Sequence, residues 1–381
     1  MIEISMPFQR NVTADSDKFA LRVGNGLHDD EWDRFVESCP GGFHEQTSLW
    51  SQVKASYGWK PFRVTLSDAG GIVAGAQVLV RSLRGGYKVA YVSRGPIDRS
   101  GSVRLRERMI DEICRASRKQ NVSYLAIAPP YDGHALEPAL SARGFRRKPE
   151  TLPPGHVMTA TLLMDLAGDI DALHDRLRKQ ARQHIRRAQR TGVSVREGGA
   201  DDVETFRLLL WVLCERLGVS PTPPEKDFFE NLWSAFAPRG WVRLFLAETN
   251  RQPVAALLAF AFGDTVRAWK AGWTGEFRER KPNDLLEWEA ICWAKRNGFR
   301  WFEDMGIERE LAERLLSGSP VGWTSVSGPS KFKLGFSGAP LVLPDTWYQF
   351  LSPLPQLLLR TGAHRLLESP RLARFLERLN A

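Results

Sequence analysis

Two stretches of the chain repeat the same succession of hydrophobic and polar positions. In the first, residues 61–80 form two apolar runs around the polar segment Ser67–Gly71, which predicts a β-hairpin. In the second, residues 241–262 form two such runs around Glu248–Pro253. Each hairpin is followed by a further predicted strand, Tyr87–Val92 in one copy and Thr265–Lys270 in the other.

A helix and another strand follow in both copies. Apolar residues recur at three- and four-residue spacing over residues 105–120 and 283–298, which predicts two amphipathic helices. Apolar runs at Val122–Ala128 and Phe299–Asp304 then predict the strands. The shared order predicts an α/β fold in which one unit is duplicated, with mixed sheets flanked by helices.

The repeat divides the chain into two predicted domains. Residues 1–152 form the first and residues 153–339 the second, and the segment Arg146–Gly155 clusters proline and charge as linkers do. The leucine- and arginine-rich residues 340–381 are expected to form short amphipathic helices and to complete the first domain. The second domain is predicted to open with a strand at Thr159–Leu166.

A basic helix is predicted next, over residues 171–190, with an apolar stripe along one side and Gly192 at its C-terminal end. From Arg176 to Arg196 there are eight basic residues and no acidic one. The whole chain, with 53 basic and 44 acidic residues, has a formal net charge of +9, so the excess lies almost entirely in this segment. Such a segment is typical either of a phosphate-binding surface or of a solvated helix face.

Composition restricts the class of protein. The chain has 381 residues, 43% of them apolar, which suits two folded domains and not a disordered chain. Its sequence has no apolar stretch near the roughly 20 residues that a membrane span needs. The N-terminal residues lack the apolar core of a signal peptide, so we expect a cytoplasmic protein. The four cysteines stand far apart, as buried thiols do, and we expect neither a metal nor a cofactor.

The motifs of several common enzyme classes are absent from the sequence. It has no G-x-G-x-x-G after a strand, no Walker loop, no H-E-x-x-H and no G-x-S-x-G. A tandem αβ repeat without these motifs suggests acyltransferases of the GNAT type, which hold the pyrophosphate of coenzyme A on a glycine-rich loop that opens a helix. That loop is also missing, which counts against an acetyl-CoA donor.

Five segments, in this order, resemble the FemAB/FemX family: 44–59, 91–98, 177–195, 285–307 and 331–338. The resemblance runs from about residue 40 to residue 340. It implies two fused GNAT-like domains and an enzyme that uses aminoacyl-tRNA to add amino acids to the peptide stem of peptidoglycan precursors.

The resemblance also implies roles for single residues. Lys54, in the motif Trp-x-x-Val-Lys that begins at Trp50, is expected to contact the phosphates of the precursor. Phe332 is expected to stack on the terminal adenosine of the tRNA, and Lys333 to stabilise the oxyanion that forms during transfer. Phe336 completes the Phe-Lys-x-x-Phe motif, and the further expected substrate-binding residues are Trp50 and Arg94.

The proton acceptor is less well defined by the resemblance. Relatives have an aspartate at the end of the last strand of the first domain, where this chain has Pro129, and Asp132 lies nearby but out of register. Glu303 and Asp304 end the equivalent strand of the second domain and are alternative candidates. A shuttle through the ribose hydroxyl of the substrate would need no enzyme base.

Acceptor recognition also departs from the family. Where relatives carry a second phosphate-binding arginine, this chain has the loop Val219–Pro224, and Lys270 is expected to supply the missing charge. The basic helix is expected to bind phosphates of the tRNA acceptor arm. Its candidate residues are Arg178, Lys179, Arg182, Arg186, Arg187 and Arg190.

The leading hypothesis is therefore a monomeric, cytoplasmic aminoacyltransferase that acts on a nucleotide- or lipid-linked precursor, with peripheral contact to the inner membrane leaflet through its basic tail. A second hypothesis keeps the fold and changes the substrates: an acyl-CoA N-acyltransferase or a tRNA-dependent enzyme that modifies a small molecule. A third is a non-catalytic protein that binds RNA or a membrane surface through the basic helix and residues 357–379.

Overall fold

The computed structural model describes residues 19–83, 86–149, 152, 158–322, 324 and 326–352. Within these ranges the chain divides into two compact units. The first unit combines residues up to 152 with residues 343–352, and the second contains residues 158–342. The helices and strands up to residue 149 are β1 (Ala20–Gly24), α1 (Asp30–Ser38), α2 (Ser48–Ala55), β2 (Trp59–Asp68), β3 (Gly71–Ser82), β4 (Lys88–Val92), β5 (Ile97–Asp98), α3 (Val103–Lys119), β6 (Tyr124–Ile127), α4 (Glu137–Ala142) and β7 (Arg146–Arg147).

The second unit continues this series, and one last strand returns to the first unit. The remaining helices and strands are β8 (Ala160–Asp165), α5 (Ile170–Arg176), α6 (Lys179–Arg190), β9 (Ser194–Gly198), α7 (Val203–Leu217), α8 (Phe228–Phe236), β10 (Val242–Thr249), β11 (Gln252–Phe262), β12 (Thr265–Trp273), α9 (Pro282–Arg296), β13 (Trp301–Asp304), α10 (Arg309–Leu316), α11 (Gly328–Lys333), β14 (Ala339–Val342) and β15 (Trp347–Phe350).

The first unit is one mixed sheet, in the order β1-β2-β3-β4-β6-β15-β7, with β5 paired to β3. Strands β4 and β6 are parallel. Helix α3 begins where the Ser102 side chain accepts a hydrogen bond from the backbone N–H of Leu105, and it buries Met109, Ile110 and Ile113 against the sheet. The three- and four-residue spacing of these apolar positions is what turns one face of the helix toward the core.

The second unit repeats this arrangement in a mixed sheet of order β14-β8-β13-β12-β11-β10-β9. Here β12 and β13 are the parallel pair. Helix α9 starts with Pro282 in its first turn and buries Leu285, Trp288 and Ile291 in the main core of the unit. The predicted order of hairpin, strand, helix and parallel strand is present in both units, and the expected α/β class with two mixed sheets is confirmed.

One predicted element is wrong: the single basic helix over residues 171–190 is two helices, α5 and α6. Leu177 and Arg178 between them have extended backbone conformations. The N–H of Arg178 donates to the carbonyl of Gly335 at 3.0 Å, and the hydroxyl of Ser337 donates to the carbonyl of Arg176. These bonds to a distant segment replace the helical bonds that the local sequence favours.

The segment after residue 340 also differs from expectation where the structure describes it. Residues 347–350 were expected to be helical, but they form β15, which pairs with both β6 and β7. The basic tail over residues 357–379 lies outside the described residues. In the ranges given above, no helix is both long and apolar enough to cross a membrane.

Candidate functional site

The sheet of the second unit opens beside the last residue of β13. Strands β12 and β13 pair up to Ala268 and Asp304, where β13 ends, while β12 runs on to Trp273 alongside β11. A β-bulge at Trp269 interrupts the pairing with β11 at the same level. Beyond Ala268 the edge of β12 that faced β13 has lost that neighbour, and we call this unpaired edge next to Asp304 the cleft.

Lys333 lies at this point because α11 follows the end of β13. Its ammonium group donates to the carbonyl oxygens of Met305 and Gly306, the latter at 2.7 Å. The nitrogen also lies 3.9 Å from a carboxylate oxygen of Asp304. The backbone therefore holds the charge of Lys333 at the mouth of the cleft, where it can meet an anion that forms there.

Two buried carboxyl groups lie near Lys333. Asp304 is 8% exposed and Glu287, on α9, is 6% exposed. Among the described residues, Oδ2 of Asp304 and Oε1 of Glu287 are buried without a hydrogen-bond partner. Burial raises the pKa of Asp304 to about 6, although Lys333 opposes this shift. Burial raises the pKa of Glu287 well above its usual range, and the charge of Asp304 is the second largest cause.

A third carboxyl group connects this cluster to the basic helix. Asp284, one turn before Glu287 on α9, lies 2.9 Å from the Nδ1 atom of His184 on α6. Burial raises the pKa of Asp284, while the hydrogen bond to His184 lowers it. The pair fixes α6 against α9 on the side of the unit where the carboxyl groups lie.

The aromatic residues of the Phe-Lys-x-x-Phe motif lie together. The ring centroids of Phe332 and Phe336 are 5.2 Å apart, at an interplanar angle of 60°. Phe336 is buried in the core, and Phe332 is half-buried at its margin. Part of the Phe332 ring thus stays exposed, and the residue precedes Lys333 on α11.

Helix α6 extends from this motif and keeps most of its charge in solvent. Its buried side is Ala181, Ile185 and Ala188. In the described part of the chain no ion pair involves Lys179, Arg186, Arg187 or Arg190, which are all exposed. Arg178 is also exposed, and half-buried Arg182 lies 3.8 Å from the carboxylate of Asp175. The six basic candidates thus share one short helix and its first flanking residue.

Lys270 lies within electrostatic range of Lys333, and its expected role as a replacement charge stays a prediction. Burial, and to a smaller extent the charge of Lys333, lowers the pKa of Lys270. Its ammonium lies 5.5 Å from the centroid of the Trp269 ring. The two cationic side chains are therefore close enough to interact electrostatically.

Glu303 does not join this group. Because side chains alternate along a strand, it points to the face opposite Asp304. Its carboxylate is 0% exposed and lies 3.0 Å from the guanidinium of Arg267. This buried ion pair gives Glu303 a structural partner in place of access to the cleft.

The expected substrate-binding residues Lys54 and Trp50 both lie on α2 of the first unit. Lys54 is half-buried on α2, with its ammonium 5.8 Å from the centroid of the Trp59 ring. Trp50 is buried on the same helix, edge-on to the His44 ring at 5.6 Å. Little of the Trp50 ring is left for a ligand, so its observed contact is with the core.

Arg94 and Asp132 have defined partners in the same unit. Arg94 is buried with a φ of 49°, and its guanidinium lies 5.0 Å from the centroid of the Tyr131 ring. Asp132 accepts two hydrogen bonds of 2.9 Å from the guanidinium of Arg106, which also binds Asp98 at 2.6 Å. Both oxygens of Asp132 are therefore already engaged, which argues against it as a proton acceptor.

Reasoning from sequence missed Glu287 and Asp284. Both lie in α9, where most of the surrounding residues are apolar. The only signal in the sequence was a glutamate between Leu286 and Trp288, which are buried in the structure. A charged residue inside an apolar run is usual on a helix, where every third or fourth residue faces solvent. The spacing alone could not indicate that this one faces the core.

Comparison with known proteins agrees with this architecture. Residues 27–139 match the FemAB family, and residues 175–310 match an acetyltransferase (GNAT) domain. The lipid II:glycine glycyltransferase of Staphylococcus saprophyticus subsp. saprophyticus is 26% identical over 236 residues, which cover 60% of this chain and 56% of that protein. The enzyme of the same name from Staphylococcus aureus (strain MRSA252) is 25% identical over 227 residues, or 58% of this chain and 53% of that one. The chain thus spans little more than half the length of these curated relatives.

Two solved structures share the fold. The crystal structure of FemX superposes with a TM-score of 0.72 at 17% identity, over 89% of this chain and 98% of that one. A tandem GNAT protein from the clavulanic acid biosynthesis pathway has a TM-score of 0.53 at 12% identity, over 88% and 99% of the two chains. The two sequence matches and the tandem GNAT-like units thus confirm the resemblance of the chain to the FemAB/FemX family.

Proposed function

We propose that the chain is an aminoacyltransferase that moves an amino acid from aminoacyl-tRNA to an amine on the peptide stem of a peptidoglycan precursor. The observation that carries this proposal is the position of Lys333. Its ammonium is fixed by two backbone carbonyls at the mouth of the cleft where β12 and β13 separate. A cation held there suits a reaction in which negative charge develops on a carbonyl oxygen.

The chemistry needs little beyond that charge and good positioning. The acceptor amine attacks the ester carbonyl of the donor, a C–N bond forms, and the carbonyl oxygen becomes negative beside Lys333. The intermediate collapses as the C–O bond to the ribose breaks, and the departing ribose oxygen takes up the proton that the amine loses. Of the candidate proton acceptors, Asp304 lies nearest to this transfer, at 3.9 Å from Lys333.

The surroundings of Lys333 suit a nucleic-acid donor. The half-buried ring of Phe332 offers a face to a terminal base, and such stacking typically contributes roughly 1–3 kcal/mol. Helix α6 begins beside the same motif, since the backbone of Arg178 is bonded to Gly335. Its exposed cations would lie along the phosphates of the acceptor arm that leads to that base.

The proposed acceptor follows from the relatives, which are lipid II:glycine glycyltransferases. Glycine is therefore the first amino acid to test as the transferred group. In the first unit, Lys54 is proposed to bind phosphates of the precursor and Arg94 to contact the substrate. For Lys270, in the second unit, a role in acceptor recognition is proposed. Because a lipid-linked acceptor lies in the inner leaflet, we propose a cytoplasmic protein that contacts that surface peripherally and acts as a monomer.

A transfer assay tests the function directly. Purified protein is mixed with [¹⁴C]glycyl-tRNA and either lipid II or the nucleotide-linked precursor, and labelled product is counted. We expect labelled precursor, and loss of labelling when the tRNA is first digested with ribonuclease. The GNAT match over residues 175–310 favours one alternative, an acyl-CoA N-acyltransferase. Transfer from acyl-CoA that resists ribonuclease, with none from charged tRNA, would establish it instead.

Binding of tRNA should depend on the exposed charges of α6. Replacement of Arg186, Arg187 and Arg190 by alanine is expected to weaken tRNA binding at least tenfold near 100 mM salt, and to lower the slope of log K against log salt by about 2–3. Filter binding over a salt series measures both. The matched control removes three exposed basic residues of α3, Arg104, Arg118 and Lys119. Equal losses in the two triple variants would show that only total charge matters.

A further inference from the structure

Glu287 and Asp304 each have a carboxyl oxygen to which the described residues, Lys333 included, donate no hydrogen bond. The ammonium of Lys333 is directed to two backbone carbonyls and approaches only Oδ1 of Asp304. Oδ2 of Asp304 and Oε1 of Glu287 accept no hydrogen bond from the described residues. A buried polar oxygen without a donor is costly, so such atoms in native proteins usually await a proton, a water molecule or a ligand.

A further cation would also offset the cost of ionising both carboxyl groups, which burial opposes by raising the pKa of each. Two carboxyl groups, each more than nine-tenths buried, face the single ammonium of Lys333. Asp284 is hydrogen-bonded to His184, and its charge contributes to the raised pKa of Glu287. Lys270 on β12 neighbours Lys333 and Cys214, and neither carboxyl group is among its electrostatic partners. A small cationic group would complete the cluster.

The proposed donor carries such a group at a suitable place. An aminoacyl ester differs from an acyl thioester of coenzyme A by an α-amino group, which is largely protonated near neutral pH. Standard bond lengths place that nitrogen about 2.5 Å from the carbonyl carbon. If the carbonyl oxygen meets Lys333, the ammonium comes within reach of carboxyl groups that lie only a few ångströms from Lys333. Asp304, at 3.9 Å, meets this condition, and buried Glu287 interacts electrostatically with both Asp304 and Lys333.

We infer that Glu287 and Asp304 form a binding site for the α-ammonium group of the amino acid being transferred. The inference rests on the proposed function, since only an aminoacyl donor has this group. It gives the second unit a means to distinguish aminoacyl from simple acyl donors: a donor without the ammonium leaves two buried oxygens unpaired. Lys333 would then bind the carbonyl oxygen, while the carboxyl pair holds the adjacent nitrogen.

The first test uses small probes and needs no transfer. Glycinamide carries the ammonium and the carbonyl, and acetamide carries only the carbonyl. Titration followed by NMR should show that the wild type binds glycinamide in the millimolar range and binds acetamide at least tenfold more weakly. In Glu287→Gln, which keeps the shape and removes the charge, glycinamide should bind no better than acetamide. The matched control, Glu289→Gln on the same helix, removes a partly exposed carboxylate outside the cluster and should bind glycinamide as the wild type does.

The second test measures donor selectivity. Glycyl-tRNA is compared with glycolyl-tRNA, in which a hydroxyl group replaces the α-amino group. The wild type should prefer the glycyl donor about 10- to 100-fold in kcat/KM, and Glu287→Gln should reduce this preference to about threefold or less. Thermal unfolding of each variant verifies its fold, and Glu287→Asp, which restores the charge, should recover part of the preference even if the glutamine variant is unstable.

Each outcome separates this inference from the function on which it rests. If Glu287→Gln slows both donors equally, the carboxyl pair only positions Lys333 and the inference is wrong, while the function stands. If wild-type protein fails to discriminate glycinamide from acetamide, the inference is likewise wrong. If glycinamide binds through Glu287 but no charged tRNA supports transfer, the ammonium site is supported and the proposed tRNA-dependent function is not.

Discussion

Replacement of Lys333 by alanine should lower kcat/KM for aminoacyl transfer by at least about 10²–10³-fold while the protein stays folded. The reason is the placement of the charge: the carbonyls of Met305 and Gly306 hold the ammonium at the end of β13 before any substrate binds. A cation that is already oriented stabilises a developing oxyanion without reorganisation, and a truncated side chain leaves only carbonyl dipoles, which would repel that charge. The transfer assay, with tRNA and precursor well below their KM values, measures the loss.

Lys331 offers a matched control for this variant. It belongs to the same short helix, α11, but its side chain is exposed. Lys331→Ala should retain transfer within about threefold, since an exposed charge contributes little. Lys333→Arg should recover only part of the activity, because the planar guanidinium cannot place three donors around one point as an ammonium can. Wild-type rates in Lys333→Ala would remove this residue from the mechanism.

Replacement of Glu303 by alanine should act on stability instead. The residue lies on the opposite face of β13 from Asp304 and forms a buried ion pair with Arg267 at 3.0 Å. Loss of one partner leaves the other charge buried and uncompensated, which typically costs about 3–5 kcal/mol. We therefore expect the free energy of unfolding, measured by urea denaturation, to fall by that amount. Protein that remains folded should transfer at nearly the wild-type rate.

The control for Glu303→Ala is Glu313→Ala on α10. Glu313 lies 3.8 Å from Arg309 in a largely exposed ion pair, and its loss should cost less than about 1 kcal/mol. Unchanged stability of Glu303→Ala, together with lost transfer, would contradict the structural role and restore Glu303 as a catalytic candidate. The pair of variants thus separates a contribution to the fold from a contribution to the chemistry.

The elements that the sequence predicted well are those determined by local patterns. The two hairpins, α3 and α9 follow from alternation and from three- and four-residue spacing, which depend only on neighbours along the chain. The break between α5 and α6 could not be predicted in this way, because residues 176–178 are held there by Gly335 and Ser337, more than 150 residues later. The strand β15 likewise forms because β6 and β7 offer it partners.

The same contrast applies to the site. Resemblance to a family indicated Phe332 and Lys333, since a motif marks a position without any knowledge of the fold. It could not distinguish Glu303 from Asp304, because only the direction of each side chain from β13 decides which one faces the cleft. Glu287 belongs to the site because it is buried and interacts with Asp304 at the end of β13, in another part of the chain. The spacing of residues in α9 does not indicate this.

The places of β8 and β15 in the two sheets have a consequence for how the chain folds during synthesis. In each sheet one strand is inserted beside the parallel pair: β15 between β6 and β7, and β8 between β13 and β14. The second unit is continuous in sequence, so it can fold as soon as it leaves the ribosome. The first unit must wait, with no strand yet paired beside β6, until residues 347–350 have emerged. The last strand of the described chain is therefore the step that closes the fold, and an incomplete nascent chain would expose an unpaired strand edge.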